Sequence, residues 1–266
     1  MRGIGISVKE DINIMGDIKF TIITVAYNAS DCIAKTIESV LNQSETPYEY
    51  IIVDGQSTDE TVGIAQSYEK DFSDKDIIFR IYSEKDTGIY NAMNKGINMA
   101  NGDYISFINA GDWYENNAIK TISDVCIKNI EMVYGSINYY TRDGRKIIKK
   151  SRKDKWIIST RNWNHPSMFM KTSVYKEKHL DEQYKVYADF DLFLKVRNER
   201  ISFAVVDKVI TNFVADGVST KCKLKDVLIR ASEKYNVYRN NGYGFIYFFE
   251  AYGWEILKMI FLRLNS

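Results

Sequence analysis

Four groups of polar residues in the first half of the chain carry side chains that could bind an anionic ligand or a metal ion. They are Ala26-Tyr27-Asn28, Asp54-Gly55-Gln56-Ser57-Thr58-Asp59, Glu84-Lys85-Asp86-Thr87-Gly88 and Asn109-Ala110-Gly111-Asp112. Each group follows an apolar segment, and ordinary turn residues or helix caps would explain any single group. Four groups in succession favour one ligand site, because ligands bind beyond the carboxyl ends of the strands in open parallel sheets.

Alternating strands and helices must bring these groups to one edge of a sheet. The apolar, β-branched segments that precede them, typical of strands buried on both faces, are 20–28, 50–54, 77–84 and 104–109. Between them apolar residues recur at helical spacing, beginning with Ile33 and Ile37. Ser57 and Glu60 have the spacing of a capping box for the second helix. The pattern predicts an α/β fold with a mostly parallel sheet and flanking helices.

The second half of the chain has a different pattern. Segment 131–149 predicts a β-hairpin with an Asp143-Gly144 turn, and two further strands are predicted at 167–171 and 203–213. From Lys223 onward the pattern is helical. We therefore expect an N-terminal extension over 1–19, one α/β domain over 20–222 and a C-terminal helical segment over 223–266.

Composition and charge exclude several classes of protein. The 266 residues carry a net charge of +1, so no global field attracts nucleic acid, and an anion must be bound by a local site. Three dispersed cysteines fit reduced thiols, and two histidines without a CxxC motif argue against a zinc site. The sequence has neither a signal peptide nor a membrane-spanning apolar stretch. A cytoplasmic protein, at most peripheral at the inner face of the membrane, is expected.

The order of the motifs resembles the nucleotide-binding half of family 2 glycosyltransferases. The resemblance rests on TVAYNASDCIAKTIESVLNQ, IIVDGQSTDET and SEKDTGIYNAMNKGINMANGDYISFINAGD, which lie in this order between residues 20 and 115. It continues more thinly through His165, Asp189 and 217–220. The resemblance implies a GT-A fold with a nucleotide-binding half over 20–115 and an acceptor-binding half over 116–222. It also implies inverting transfer of a single sugar from a nucleotide sugar, a UDP-sugar above all, to a saccharide or a lipid-linked saccharide in polysaccharide biosynthesis.

A uridine ring requires a flat cleft and an acceptor for its imide N–H. Tyr27 and the backbone near Thr24 and Ala26 are candidates for the walls of that cleft, with Asn28 beside them, and Asp54 is the candidate acceptor. Asp54 would otherwise cap the turn at Ser57.

The third and fourth polar groups supply candidates for contacts to the diphosphate and to a metal ion. Asp86, Gly88 and Asn94 match a segment that lines the nucleotide site in the family, and Lys95 either contacts the diphosphate or is simply solvated. Asn109, Ala110, Gly111 and Asp112 stand where the family usually has an acid-rich motif. Asp112 is the remaining carboxylate there and the candidate ligand for Mn²⁺ or Mg²⁺.

Inverting transfer needs a general base. In YADFDLFLKV (187–196) the resemblance makes Asp189 the candidate base, with Asp191 as the alternative. Both acids could instead only stabilise a helix N-terminus. His165 would contact the acceptor or the diphosphate, or serve packing alone. The segment 217–220 resembles a loop that closes over the donor.

Several alternatives remain open at the level of sequence. A polyprenyl-phosphate sugar synthase shares the N-terminal half, and a noncatalytic sugar-nucleotide-binding protein would explain why Asn109 and Gly111 replace acids. The aromatic-rich segment 245–264 is too charged to span a bilayer; peripheral membrane contact, packing on the catalytic domain and homodimerisation remain the alternatives for it.

Overall fold

The computed structural model describes residues 18–126, 130–141, 143–152, 157–215 and 223–264. Most of the predicted N-terminal extension and the predicted donor loop at 217–220 lie outside these ranges. The strands are β1 (Phe20–Ala26), β2 (Glu49–Asp54), β3 (Ile78–Ser83), β4 (Tyr104–Phe107), β5 (Trp113–Tyr114), β6 (Met132–Tyr140), β7 (Lys146–Lys149), β8 (Met168–Lys171) and β9 (Phe203–Val214). The α-helices are α1 (Ile33–Leu41), α2 (Thr61–Gln66), α3 (Glu69–Ser73), α4 (Ile89–Met99), α5 (Ala118–Ser123), α6 (Thr172–Lys178), α7 (Ala188–Asn198), α8 (Leu224–Asn240) and α9 (Ile246–Leu264).

The described strands form one mixed sheet in the order β3-β2-β1-β4-β8-β6-β9-β5, with β7 paired to β6. Strands β1 to β4 pair in parallel, whereas β8 is antiparallel to both β4 and β6. The hairpin of β6 and β7 is confirmed, with its turn at Gly144 in the left-handed region (φ +81°) that favours glycine. The predicted α/β class, a mixed sheet with flanking helices, is confirmed.

Apolar side chains of β1 and β2 alternate between two cores, one on each face of the sheet. Ile23 and Val53 point to the side of α4, α7 and the C-terminal helices, and Ile22 and Ile52 point to the side of α1 and α5. This two-sided burial explains why these strands are nearly continuously apolar. Helices therefore cover both faces, and the polar residues at the ends of the strands are left at the sheet edge.

One local prediction was wrong, and one short strand was not predicted. Ser57 and Glu60 form no capping box: α2 begins only at Thr61, and its N-cap residue Glu60 makes no side-chain capping hydrogen bond. The Ser57 hydroxyl donates to Asp54 instead. The two-residue strand β5 was not predicted, because it is defined by its pairing with β9 rather than by a local pattern.

The last two helices form an antiparallel hairpin, and buried ion pairs join one helix to the other. Lys234 Nζ lies 2.8 Å from Glu250 Oε2, and Arg230 Nε lies 2.8 Å from Glu255 Oε2. Within the ranges that the structure describes, no helix combines the length and apolar character needed to cross a membrane.

Candidate functional site

The first three strand ends lie side by side at one edge of the sheet. Ala26 at the end of β1 is in register with Asp54 at the end of β2, which is in register with Ser83 at the end of β3. Beyond β4, the N–H of Ala110 donates to the carbonyl of Val25, 3.2 Å away. The topology thus brings the four polar groups of the sequence together.

A cleft of about 290 Å³ opens at this edge, lined by Tyr27, Gly55, Gln56, Lys85 and Asp86. The ring of Tyr27 is 65% exposed and offers a flat surface. Sequence reasoning identified two of these residues, Tyr27 and Asp86. It included Gly55, Gln56 and Lys85 in the polar groups that follow the strands but assigned none of them a role.

Gly55 lets the two sides of the cleft come close together. A Cβ atom at this position would lie 2.6 Å from Oδ2 of Asp86 and 3.4 Å from the ring of Tyr27. A side chain here would therefore force the Asp86 carboxylate to move, since real Cβ contacts are not that short.

We predict that Gly55→Ala weakens the binding of a nucleotide in this cleft about tenfold, because the Asp86 carboxylate must shift to admit the methyl group. Isothermal titration calorimetry with the nucleotide measures this effect. Gly63→Ala in α2 is the matched control, since its Cβ would meet only the end of the Glu60 side chain, at 3.2 Å. Equal affinity in both variants would contradict the placement of the ligand against Gly55.

Asp54 is fully buried and does not line the cleft. Its carboxylate accepts the backbone N–H of Ser57 at 2.9 Å, the hydroxyl of Ser57, and the hydroxyl of Ser83 at 2.6 Å. The predicted contact with an imide N–H therefore needs correction: in this structure Asp54 orients the turn that carries Gly55 and Gln56, which themselves reach the cleft.

The other predicted residues in and directly after β1 make contacts within the protein next to the cleft. The side chain of Thr24 is buried and shares a 2.9 Å hydrogen bond with Tyr50, and the carbonyl of Ala26 accepts the N–H of Gly55. Asn28 has a left-handed backbone (φ 47°), and its Oδ1 accepts the N–H of Thr58. None of the three is among the residues that line the cleft in the described part of the chain, and their contact with a nucleoside stays a prediction.

Asn94 and Lys95 have structural partners. Asn94 is buried and exchanges hydrogen bonds with both backbone groups of Leu180. Lys95 donates to the carbonyl of Lys85 and lies 3.0 Å from Glu84. Both residues therefore brace loops, and the predicted diphosphate contact of Lys95 would require it to leave these partners.

Two glycines give the loops at the edge their shape. Gly88 has φ +140° immediately before α4, and its N–H donates to Asp86 Oδ1 at 2.9 Å. Gly111 has φ +98°, and its N–H donates to the hydroxyl of Thr36. Residues that carry a Cβ atom rarely adopt these backbone conformations, so both positions favour glycine.

Asp112 and Asn109 provide oxygen atoms suited to a divalent cation. Asp112 is 5% exposed, its Oδ1 accepts the N–H of Val214 at 2.8 Å, and burial raises the pKa of its carboxyl to about 8. Oδ1 of Asn109 is buried without a hydrogen-bond partner among the described residues. Carboxylate and amide oxygens are the ligands that Mg²⁺ and Mn²⁺ prefer, so the pair fits such an ion. Since the described residues contain no cluster of three or more His, Cys, Asp or Glu that could hold a metal, further ligands must come from elsewhere.

Asp189 lies on the first turn of α7 between Tyr90 and His165. Its Oδ1 accepts the N–H of Phe190 at 2.8 Å and the hydroxyl of Tyr90 at 3.3 Å, and its Oδ2 lies 3.7 Å from Nδ1 of His165. Burial raises the pKa of the Asp189 carboxyl, and His165 partly opposes that rise. The side chain remains 19% exposed, so it keeps access to the outside.

His165 is a packed residue with one unused nitrogen. Its ring stacks on Phe107 at the end of β4, and burial lowers its pKa, which favours the neutral imidazole. Nε2 of His165 and the neighbouring Nε1 of Trp163 are buried without hydrogen-bond partners among the described residues. Sequence reasoning found His165 but missed Tyr90 and Trp163, which read locally as core aromatics.

Asp191 points away from this group. It is 1% exposed, its Oδ2 lies 2.7 Å from Nζ of Lys195, and its Oδ1 accepts the amide of Asn241. The alternative base is therefore corrected to a residue that ties α7 to the end of α8. Two acids two positions apart on a helix face different directions, as expected.

The chain matches known proteins over most of its length. Residues 21–187 match the model of glycosyl transferase family 2. The chondroitin synthase of Escherichia coli is 29% identical over 211 residues, which is 76% of this chain but only 30% of that protein.

Two solved structures share the fold. They are S. aureus TarS 1–349 in complex with UDP (TM-score 0.59, 18% identity, 82% of this chain and 66% of that one) and a Pyrobaculum calidifontis mannosyltransferase in complex with GDP-Man and Mn²⁺ (TM-score 0.63, 11% identity, 92% and 73%). At such identities the likeness shows the fold alone. The family match covers more than half of the residues, and this chain therefore belongs to glycosyl transferase family 2.

Proposed function

We propose that the chain transfers one sugar from a nucleotide sugar, a UDP-sugar, to a saccharide or lipid-linked saccharide, with inversion at the anomeric carbon. A role in polysaccharide biosynthesis is supported by the likeness to a chondroitin synthase, of which the chain spans only 30%. The choice of uridine is supported by the UDP bound to the structural neighbour TarS.

The observation that carries the proposal is the position of Asp189 relative to the cleft. The loop that contributes Lys85 and Asp86 to the cleft leads directly into α4. Tyr90, on the first turn of α4, donates its hydroxyl to Asp189. A carboxylate with a raised pKa is thereby linked to the cleft through one short segment, as a general base beside a bound donor would need to be.

The reaction would use the residues that line the cleft together with Asp189. The nucleoside lies against the ring of Tyr27 and contacts Gly55 and Gln56. The diphosphate points toward the loop that ends at Asp112. Asp189 accepts the proton of the acceptor hydroxyl while the oxygen of that hydroxyl bonds to the anomeric carbon. The bond from that carbon to the diphosphate oxygen breaks, and UDP leaves with the electron pair. A single displacement of this kind inverts the configuration.

Asp112 and Asn109 would hold a divalent ion beside the diphosphate. Such an ion neutralises charge on the leaving phosphate. The raised pKa of Asp112 results from burial without a countercharge, and a bound cation would favour its ionised form.

Thermal-shift measurements test the donor assignment. We expect UDP with Mn²⁺ to raise the melting temperature more than GDP, CDP or dTDP, because a ligand that binds only the folded state stabilises it, by about 2.7 kcal/mol at one hundred times its Kd. Asp112→Asn should lose the part of the shift that depends on Mn²⁺ while it keeps a response to UDP alone.

Release of UDP from UDP-sugars, with and without an acceptor panel, distinguishes the alternatives. Equal responses to the four nucleotides, or none, would contradict the uridine assignment. Binding of a UDP-sugar without any release of UDP would favour a noncatalytic binding protein. The presence of Asn109 and Gly111 where the family usually has acids supports that alternative.

A further inference from the structure

Helix α9 presents an apolar surface to its surroundings and turns its acidic residues inward. Between Ile246 and Ile260, every exposed side chain of the helix is apolar. These residues, called the α9 outer face below, are Ile246, Phe249, Ile256, Leu257 and Ile260. The acids Glu250 and Glu255 instead point to Lys234 and Arg230 of α8. This distribution is the reverse of that on a helix whose outer side meets water.

The outer face forms one continuous stripe. Positions 246, 249, 253, 256, 257 and 260 recur at three- and four-residue spacing, so they share one side of the helix over roughly 21 Å. Gly253 lies in the middle of the stripe, and a Cβ built there would meet nothing within 4 Å, which means that this side is open. Phe245, 66% exposed, extends the stripe at its start.

The exposed charged side chains of the α8–α9 hairpin are basic in the part of it that the structure describes. In the part of the α8–α9 hairpin that the structure describes, Lys223, Lys225 and Arg239 are exposed, and Lys258 is half-buried. Of the acids, Asp226 is half-buried, and Glu233 accepts backbone N–H groups of residues 185–187. An apolar face on a hairpin whose exposed charges are basic matches a membrane surface that carries anionic lipid. A second copy of the chain would bring like charges together.

We propose that the α9 outer face docks the protein on an anionic lipid bilayer, with α9 parallel to the membrane plane. The opposite side of α9 packs on α8, so only the outer face reaches the lipid. Buried side chains connect this surface to the candidate base: Tyr187, two residues before Asp189, donates its hydroxyl to Glu255 at 2.8 Å. Docking on a bilayer is a property separate from sugar transfer, and a binding assay tests it without any measurement of activity.

Vesicle sedimentation with the whole protein tests the proposal. We expect the protein to bind vesicles of phosphatidylcholine with about one third phosphatidylglycerol, to bind pure phosphatidylcholine less, and to be released by salt. Phe249→Glu with Leu257→Glu should lower the partition coefficient at least about tenfold, since each side chain loses its burial in lipid. Both residues are exposed, so the double variant should keep the melting temperature of the wild type.

Ile148→Glu is the matched control, because Ile148 is also an exposed apolar residue (55%) but lies on β7. It should bind vesicles like the wild type. Absence of wild-type binding, or equal binding to both kinds of vesicle, would overturn the proposal. So would a wild-type dimer in light scattering that the double variant dissociates while neither protein binds vesicles, since the outer face would then be an interface between two copies.

Discussion

Replacing Asp189 by asparagine is expected to lower the rate of sugar transfer about 10²- to 10⁴-fold, with little change in the affinity for the donor. The amide still accepts the N–H of Phe190, which the carboxylate accepts at 2.8 Å, so α7 should keep its structure. It cannot take the proton from an acceptor hydroxyl. Initial rates of UDP release at saturating donor, together with the Kd for UDP, measure both effects.

The pH dependence of the rate identifies the group. Burial raises the pKa of Asp189, and only its ionised form acts as a base, so the rate should rise with pH through a pKa above that of an ordinary carboxyl. The Tyr90 hydroxyl lowers this pKa, and Tyr90→Phe should therefore move the rising limb to higher pH. A structural role for Asp189 alone would leave the limb in place.

Asp124→Asn is the control, because Asp124 is an exposed acid at the end of α5. It should have the activity of the wild type. If Asp189→Asn keeps a substantial fraction of wild-type activity, no strong base is needed. The acceptor would then be already ionised, as in a polyprenyl-phosphate sugar synthase.

The first half of the fold could be predicted because its strands are buried on both faces. Ile22, Ile23, Ile51 and Ile52 show this plainly: each is at most 1% exposed, so the whole segment must be apolar. That signal is local and needs no partner. Strand β5 has only two residues and depends on β9 for its definition, which explains why local patterns missed it.

The location of the site could also be predicted, but the roles of its side chains could not. Strand ends converge in any parallel sheet, so the position of Tyr27 and Asp86 at one edge followed from topology, whereas their roles came from the family resemblance. Whether a polar side chain faces the cleft or the protein depends on its partners. Asp54 binds Ser57 and Ser83, and Asn94 binds Leu180, and in each case the buried polar group is satisfied within the fold.

Removing one member of the buried ion pair between α8 and α9 should have the largest effect on stability. Lys234 is 0% exposed and Glu250 5%, with Nζ 2.8 Å from Oε2. We expect Glu250→Gln to lower the free energy of unfolding by about 3–5 kcal/mol, because the Lys234 ammonium would stay buried without its countercharge. Urea denaturation followed by tryptophan fluorescence measures the change.

The deficit should depend on pH with a defined sign. Burial lowers the pKa of Lys234, and Glu250 opposes that effect, so its loss lowers the pKa further. A lysine with a depressed pKa in the folded state binds fewer protons there than in the unfolded chain, and stability then rises with pH. The difference between wild type and Glu250→Gln should therefore shrink as the pH rises from neutrality toward the ordinary pKa of lysine.

Two controls separate the buried charge from a general loss of packing. Glu199→Gln removes a carboxylate that is 54% exposed and lies 2.7 Å from Lys178, and it should cost less than about 1 kcal/mol. Lys234→Met combined with Glu250→Leu should recover most of the stability, because apolar side chains of similar volume replace both charges. If the double variant is no more stable than Glu250→Gln, the loss comes from the Tyr238 and Ser159 hydroxyls that donate to Glu250 rather than from an unpaired ammonium. Glu250 would then act mainly as the acceptor for those neutral donors, and the stability deficit would not vary with pH in the direction given above.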